Sequence, residues 1–227
     1  MIQNNKFLVI LIYSKGFKNA YSKVLNQLKE LDYNTISVKL ELYCKNKNFN
    51  DWNEKNKFNY YLFKPLIIKD IIKKNSSYEF FFYIDVNDRP LFGLKEHIIK
   101  VFNSEKKIDF IVPGTKNPNL FYSHPYRIQK LNFFNKLKEF FLFQIEAGTI
   151  AIRNSRNTFE ILDDWINTTS EIAKFNSQFS CNRSRHDQEA LSKLSINKRN
   201  IKVENWFHYK FSKSNLRNYI NYEFNIS

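Results

Sequence analysis

Apolar positions along the chain switch repeatedly between two periods. FLVILIY (7–13) is an unbroken β-branched and aromatic run closed by the turn-forming SKG (14–16), the pattern of a central strand covered on both faces. From Asn19 onward Tyr21, Val24, Leu25, Leu28 and Leu31 recur at helical spacing and predict an amphipathic helix. ISVKLELY (36–43) alternates and predicts a second strand, completing a βαβ start, whereas CKNKNFNDWNEKNKFN (44–59) has little period and reads as a surface excursion. KPLIIKDIIKKN (64–75) carries a proline where a first helical turn tolerates it and sets Leu66, Ile67, Ile71 and Ile72 on one face. It leads directly into the strand FFFYID (80–85).

The alternation continues to the last third of the chain. LKEHIIKVFN (94–103) predicts a helix, IDFIVPG (108–114) a strand, and the Phe-rich RIQKLNFFNKLKEFFLF (127–143) a helix. EAGTIAIRN (146–154) predicts a strand, SRNTFEILDDWINTTSEIAKF (155–175) a helix capped by Ser155, and RHDQEALSKL (185–194) a further helix. Strands interleaved with helices in this way predict an α/β sandwich with a mostly parallel central sheet. No internal repeat and no Pro-, Gly- or Ser-rich linker interrupts the pattern, so residues 1–227 read as one domain.

Glycines stand at the joints: Gly16 after the first strand, Gly93 before a helix, Gly114 at the end of a strand, Gly148 at the entrance of another. None belongs to a GxGxxG or Walker loop, which leaves a Rossmann cofactor or a P-loop without support.

Charge narrows the partners. The 36 Lys and Arg against 22 Asp and Glu give a formal +14 over 227 residues, a field that favours nucleic acid, a phosphate-bearing substrate or an acidic membrane surface without choosing among them. Part of that excess follows a general enrichment in Lys, Asn and Ile and reads as a solvated face. The two cysteines, Cys44 and Cys181, show neither CxxC nor Cys/His spacing, so a disulfide framework and a zinc site are not indicated and a reducing cytoplasm is expected. The N-terminal apolar run is too short to span a membrane and has no cleavage pattern.

Candidate chemistry concentrates in EFFFYIDVNDRP (79–90), where a buried strand ends in Asp85, Asn87 and Asp88. In open α/β sheets ligands bind beyond the carboxyl ends of the strands, and these side chains offer the hard oxygens that Mg²⁺ or Mn²⁺ takes beside phosphates. Taken by itself the segment is equally a turn, because Asp, Asn and Pro are common turn formers.

Three segments in order resemble GT-A type nucleotide-diphospho-sugar glycosyltransferases. ILIYSKGFKNAYSKVLNQLKEL resembles the first strand and turn that hold the nucleotide, and KPLIIKDIIKKNSSYEFFFYIDVND resembles the helix and strand that end in a D-x-D motif. EAGTIAIRNSRNTFEILDDWI followed by RHDQEALSKL resembles the strand lining the sugar pocket, a tryptophan-bearing helix, and a D-Q pair opening a helix. The resemblance spans most of residues 6–194 and implies a GT-A (Rossmann-like) three-layer α/β/α sandwich, with 6–114 as nucleotide-binding part, 115–210 as sugar and acceptor part and 211–227 as a C-terminal tail.

Carried over by position, the resemblance makes Asp85 and Asn87 the D-x-D pair, with Asp88 as a substitute in a shifted register and His208 as a third metal ligand. Asn at the second position departs from the pattern and lowers the charge available to a metal. Tyr13 and Ser14 become nucleotide contacts, and Lys64 the basic residue that neutralises the diphosphate or steadies the D-x-D segment; read on its own, Lys64 is an ordinary solvated lysine. Asp187 and Gln188 reach the donor sugar with His186 alongside, while Glu146, Ala147 and Gly148 form the pocket wall. Asp187 alone reads as a first-turn carboxylate.

The implied activity is transfer of a sugar from a nucleotide-diphosphate donor to a surface-glycan acceptor, of the kind used in bacterial capsule or lipooligosaccharide assembly, with Mn²⁺ or Mg²⁺. Asp187, Gln188 and Glu146 are the catalytic candidates: an inverting transfer would use Asp187 first and Glu146 second as base, whereas the D-Q pair leans toward a retaining one, and the acceptor is a glycan or is lipid-linked. A cytoplasmic enzyme with its Phe-rich segment and basic tail against an anionic inner membrane fits the charge. The rivals are an inactive GT-A relative, which Asn87 keeps open, and a basic nucleic-acid-binding protein; no RNP, KH or zinc-finger pattern supports the latter.

Overall fold

The first apolar run folds as β1 (Phe7–Tyr13), buried from Phe7 through Ile12, which is what an uninterrupted hydrophobic strand requires of its surroundings. The structure, a computed structural model, describes residues 6–46, 62–86, 93–118, 132–141, 143–179 and 186–204. After a 3-10 turn at Lys15–Phe17 come α1 (Lys18–Glu30), β2 (Thr35–Lys39), α2 (Leu40–Asn46), α3 (Phe63–Lys74) and β3 (Phe80–Asp85). Next are α4 (Leu94–Ser104), β4 (Phe110–Pro118), α5 (Phe133–Phe141), β5 (Phe143–Ile145) and β6 (Thr149–Arg153). The described chain closes with α6 (Arg156–Phe179), α7 (His186–Asn197) and β7 (Ile201–Glu204).

The strands form one sheet in the order β2-β1-β3-β6-β4-β5, with β7 also paired to β4. β1 is parallel to β2 and β3, and β4 is parallel to β7, while β6 runs antiparallel to both β3 and β4 and β5 antiparallel to β4. Five strands therefore share one direction and two oppose it.

Strand alternation divides the core into two layers. Leu8, Ile10, Ile12, Phe81 and Tyr83 face one side, where Ile67, Ile68 and Ile72 of α3, Leu162 and Trp165 of α6 and Leu191 of α7 cover them. Phe7, Val9, Leu11, Phe80 and Phe82 face the other, against Val24 and Leu28 of α1 and Leu94, Ile98 and Phe102 of α4. Helices on both faces of a central sheet make a three-layer α/β/α sandwich.

Four boundaries differ from the sequence expectation. The strand expected at 108–114 runs from Phe110 to Pro118, because pairing with β5 extends it, so Gly114 lies inside the strand and not at its end. ISVKLELY is a strand only as far as Lys39; from Leu40 the chain is helical, because burying Leu40 and Cys44 on one face leaves Leu42 exposed. The Phe-rich stretch expected as one helix divides into α5 and the strand β5. β7 is a strand that the pattern did not announce; its burial is confined to Ile201, and its pairing with Phe110–Pro113 defines it.

Two glycines have a geometric reason. Gly93 sits at φ +73 before α4, in the left-handed region where a side chain is strained. A Cβ on Gly114 would lie 2.8 Å from Val203 Cγ1 of β7.

Candidate functional site

β3 and β6 are antiparallel, so the end of β3 meets the beginning of β6 at one sheet edge. There the Asp85 backbone N–H donates to Gly148 O at 2.7 Å, extending the ladder one residue beyond the paired strands. Asp85 and Gly148, 63 positions apart in sequence, are thereby placed side by side.

α3 and α7 bring their first turns to this edge. Lys64, in the first turn of α3, is 5% exposed and so is not the solvated lysine that its sequence context allowed. Its Nζ donates to Asp187 Oδ2 at 2.7 Å and to Ala147 O at 3.2 Å, and lies 3.9 Å from Asp85 Oδ2 and 5.9 Å from the Tyr83 ring centroid. One ammonium thus stands between two carboxylates of unequal exposure: the Asp187 side chain is 2% exposed and that of Asp85 30%. The buried carboxylate is fixed by the lysine, and the other is partly open to solvent.

α7 is held in place by two further bonds. Trp165 Nε1 of α6 donates to Asp187 O at 3.0 Å, and Ser192 Oγ accepts the Ile145 N–H at 2.9 Å while donating to Gln188 O at 2.7 Å. Strand β5, helix α6 and helix α7 are locked together immediately around the D-Q pair. Gln188 is buried, and Glu146 is half-buried, its backbone N–H donating to Pro113 O at 2.9 Å.

Tyr13 and Ser14 occupy the same edge one strand over, since Ile12 is the register partner of Asp85. The Tyr13 ring stacks on Tyr21 at 3.9 Å between centroids and 18° between planes. Burial, Tyr21 and Glu41 push its hydroxyl above the ordinary value. Ser14 is buried, and Ser14 O accepts the Phe17 N–H, while the Lys15 N–H donates to Glu41 Oε1 at 2.6 Å.

Of the predicted site residues, Lys64, Asp85, Gly148 and Asp187 form one contact group with Ala147. Glu146 and Gln188 adjoin it in the chain, and Tyr13 and Ser14 lie on the neighbouring strand end. Asn87, Asp88 and His208 fall outside the described residues. Among the described residues no group of three or more His, Cys, Asp or Glu converges as a metal donor set, and Asp85 is the predicted metal ligand they include. The described residues alone do not make a metal site.

Sequence reasoning did not single out Ser192 or Tyr83. Neither carries a motif: Tyr83 is one aromatic in a run of five apolar residues, and Ser192 is a serine inside a helix. The tryptophan of the resemblance is Trp165, completely buried, and its indole N–H finds the α7 backbone as a buried Trp requires.

No family model matches the chain, and no curated protein matches it in sequence. Its fold is shared with the crystal structure of a glycosyltransferase involved in the glycosylation of the major capsid of PBCV-1, at 11% identity and a TM-score of 0.50, covering 88% of this chain and 82% of that one. It is shared also with mouse xyloside xylosyltransferase 1 in its apo form, at 8% identity and a TM-score of 0.53, covering 88% of this chain and 84% of that one. The architecture is the GT-A (Rossmann-like) α/β/α sandwich with a mostly parallel central sheet, now read from strand order and helix placement.

Proposed function

We propose that the chain is a glycosyltransferase that moves a sugar from a nucleotide-diphosphate donor to a glycan or lipid-linked acceptor. The observation that supports it most is the Lys64–Asp187–Asp85 group at the carboxyl end of β3, in a fold shared with two glycosyltransferases. A parallel-strand terminus is where this class of sheet binds its ligand. The finer organisation, 6–114 for the nucleotide, 115–210 for sugar and acceptor and 211–227 as a tail, belongs to the same proposal, as do a bacterial surface-glycan role and a cytoplasmic site. Among the described residues no helix is long and apolar enough to cross a membrane.

In this reading the stacked Tyr13–Tyr21 pair and Ser14 border the nucleoside, and Asp85 faces the diphosphate. On the same reading Lys64 holds Asp187 aligned beneath the sugar while Gln188 lines the pocket beside it. The anomeric carbon loses its bond to the diphosphate and gains one to the acceptor oxygen, whose proton passes to a base. Glu146 is the better supported base, since Asp187 is engaged by Lys64 and nearly inaccessible whereas Glu146 is half-buried. The resemblance implies Mn²⁺ or Mg²⁺, which Asp85, as a hard oxygen donor, would help to hold. The ion's chemistry would be to offset charge on the departing diphosphate.

Thermal-shift titration with nucleoside diphosphates and their sugars, with and without Mn²⁺, tests the reading. A donor at a hundred times its Kd raises the melting temperature by about 5 °C or more. Asp85→Ala abolishes that shift and lowers release of nucleoside diphosphate about a hundredfold, at little cost in stability because the side chain is partly exposed. Absence of any shift across the nucleotide set, or an Asp85→Ala chain that binds and turns over like the parent, overturns it.

A further inference from the structure

Helix α5 presents its apolar side chains outward. Phe133, Phe134 and Phe141 are 68%, 74% and 72% exposed, with Phe140 at 44% and Leu137 at 37%, the densest set of exposed large hydrophobics among the described residues. They are not scattered. At about 100° per residue, positions 133, 134, 137, 140 and 141 fall within an arc of about 120°, a complete apolar face. Soluble domains rarely leave a contiguous aromatic patch of this kind uncovered.

Charge on the same helix indicates the cover. On that projection positions 136 and 138, both lysine, lie about 40° beyond the two borders of the apolar arc, and position 139, a glutamate, lies on the opposite side. Residues 127–143 contain Arg127, Lys130, Lys136 and Lys138 against Glu139 alone, within a chain of formal +14. Aromatic side chains flanked by lysines match a surface with an apolar interior and an anionic rim. Two copies of the same face would instead bring like charges together.

We propose that α5 lies in the plane of an anionic lipid bilayer, its five apolar side chains in the headgroup and acyl boundary and the positive charge bordering that face drawn to the phosphates. Phe141 and Glu146 are five residues apart, at most about 18 Å of extended chain, so the bilayer surface lies within that reach of the pocket wall. An acceptor anchored in lipid would thereby be delivered to the site by the docking itself. That last consequence rests on the transferase reading; the docking does not, and the test below uses neither donor nor turnover.

The test is co-sedimentation of the full chain with vesicles of phosphatidylcholine alone and with about a third phosphatidylserine, at low and at high salt. Binding is expected to the anionic vesicles at low salt, to weaken as salt screens the lysines, and to be slight on the neutral ones. Phe134→Ser with Phe141→Ser lowers the affinity about tenfold or more without changing the melting temperature, because both side chains are exposed. Lys136→Glu with Lys138→Glu lowers binding to anionic vesicles by a similar factor. The proposal is overturned if the parent chain does not bind anionic vesicles at low salt, or if the phenylalanine pair can be changed without effect. It is equally overturned if that change dissociates a dimer in solution or markedly lowers the melting temperature, since the face would then be covered by a second copy or by the chain itself.

Discussion

Lys64→Met keeps a flexible stem of similar length and removes only the ammonium, which isolates the charge at the centre of the candidate site. In the parent that ammonium is 2.7 Å from Asp187 Oδ2, with both side chains at least 94% withdrawn from solvent. Removing one partner of a buried pair leaves the other charge without its counterion and costs about 3–5 kcal/mol. The bond to Ala147 O disappears with it, so that carbonyl loses a donor as well. For a domain of this size each kcal/mol lowers the melting temperature by about 2–4 °C, so a fall on the order of 10 °C is expected. Adding Asp187→Leu removes the stranded carboxylate, and the double variant recovers most of the loss, because an apolar pair of similar volume is often neutral or better in such a place. The assay is calorimetric or urea unfolding of parent, both single variants and the double. A Lys64→Met chain melting within about 2 °C of the parent, or a double variant whose loss equals the sum of the singles, refutes the reasoning.

Two further outcomes follow from the packing. Gly114→Ala drives a Cβ toward Val203 Cγ1 at 2.8 Å and lowers stability by about 1–3 kcal/mol in urea unfolding, and Val203→Ala restores most of it. Burial, with Glu41 nearby, pushes the Cys44 thiol up to about 11 from 9.0. Native protein at pH 8 therefore reacts slowly with a thiol reagent and urea abolishes the protection. Because the unfolded chain releases this proton first, the thiol's contribution to stability is lost as pH rises from about 9 toward 11.

Much of the architecture was legible along the chain because burial on both faces demands continuous apolar runs. FLVILIY and FFFYID became adjacent parallel strands, and the helical periods of α1 and α4 found the sheet, while α3 buries Ile67, Ile71 and Ile72 as predicted but Ile68 in place of Leu66. Where the pattern fits two periods it misled: Leu40 and Leu42 continue the alternation of Ile36 and Val38, but Leu40 and Cys44 also suit a helix, and packing chose the helix. The strand β7, four residues with one buried, had no periodic signal to offer, since its existence depends on β4.

For the candidate site, the order of motifs brought into view the segments that the fold joins, but not their contacts. Asp85 announced itself as a polar residue ending an apolar strand. Lys64 looked like many other lysines, and what distinguishes it is a carboxylate 123 positions away. Residue type and spacing therefore determined the layers, the strand ends and the candidate side chains, since these follow from local period and solubility. Only the tertiary structure decided that β6 enters the sheet antiparallel beside β3, and that one buried ammonium joins α3 to α7 beneath Asp85. Both are set by pairings between distant segments, whose energy depends on a geometry that no stretch of sequence contains by itself.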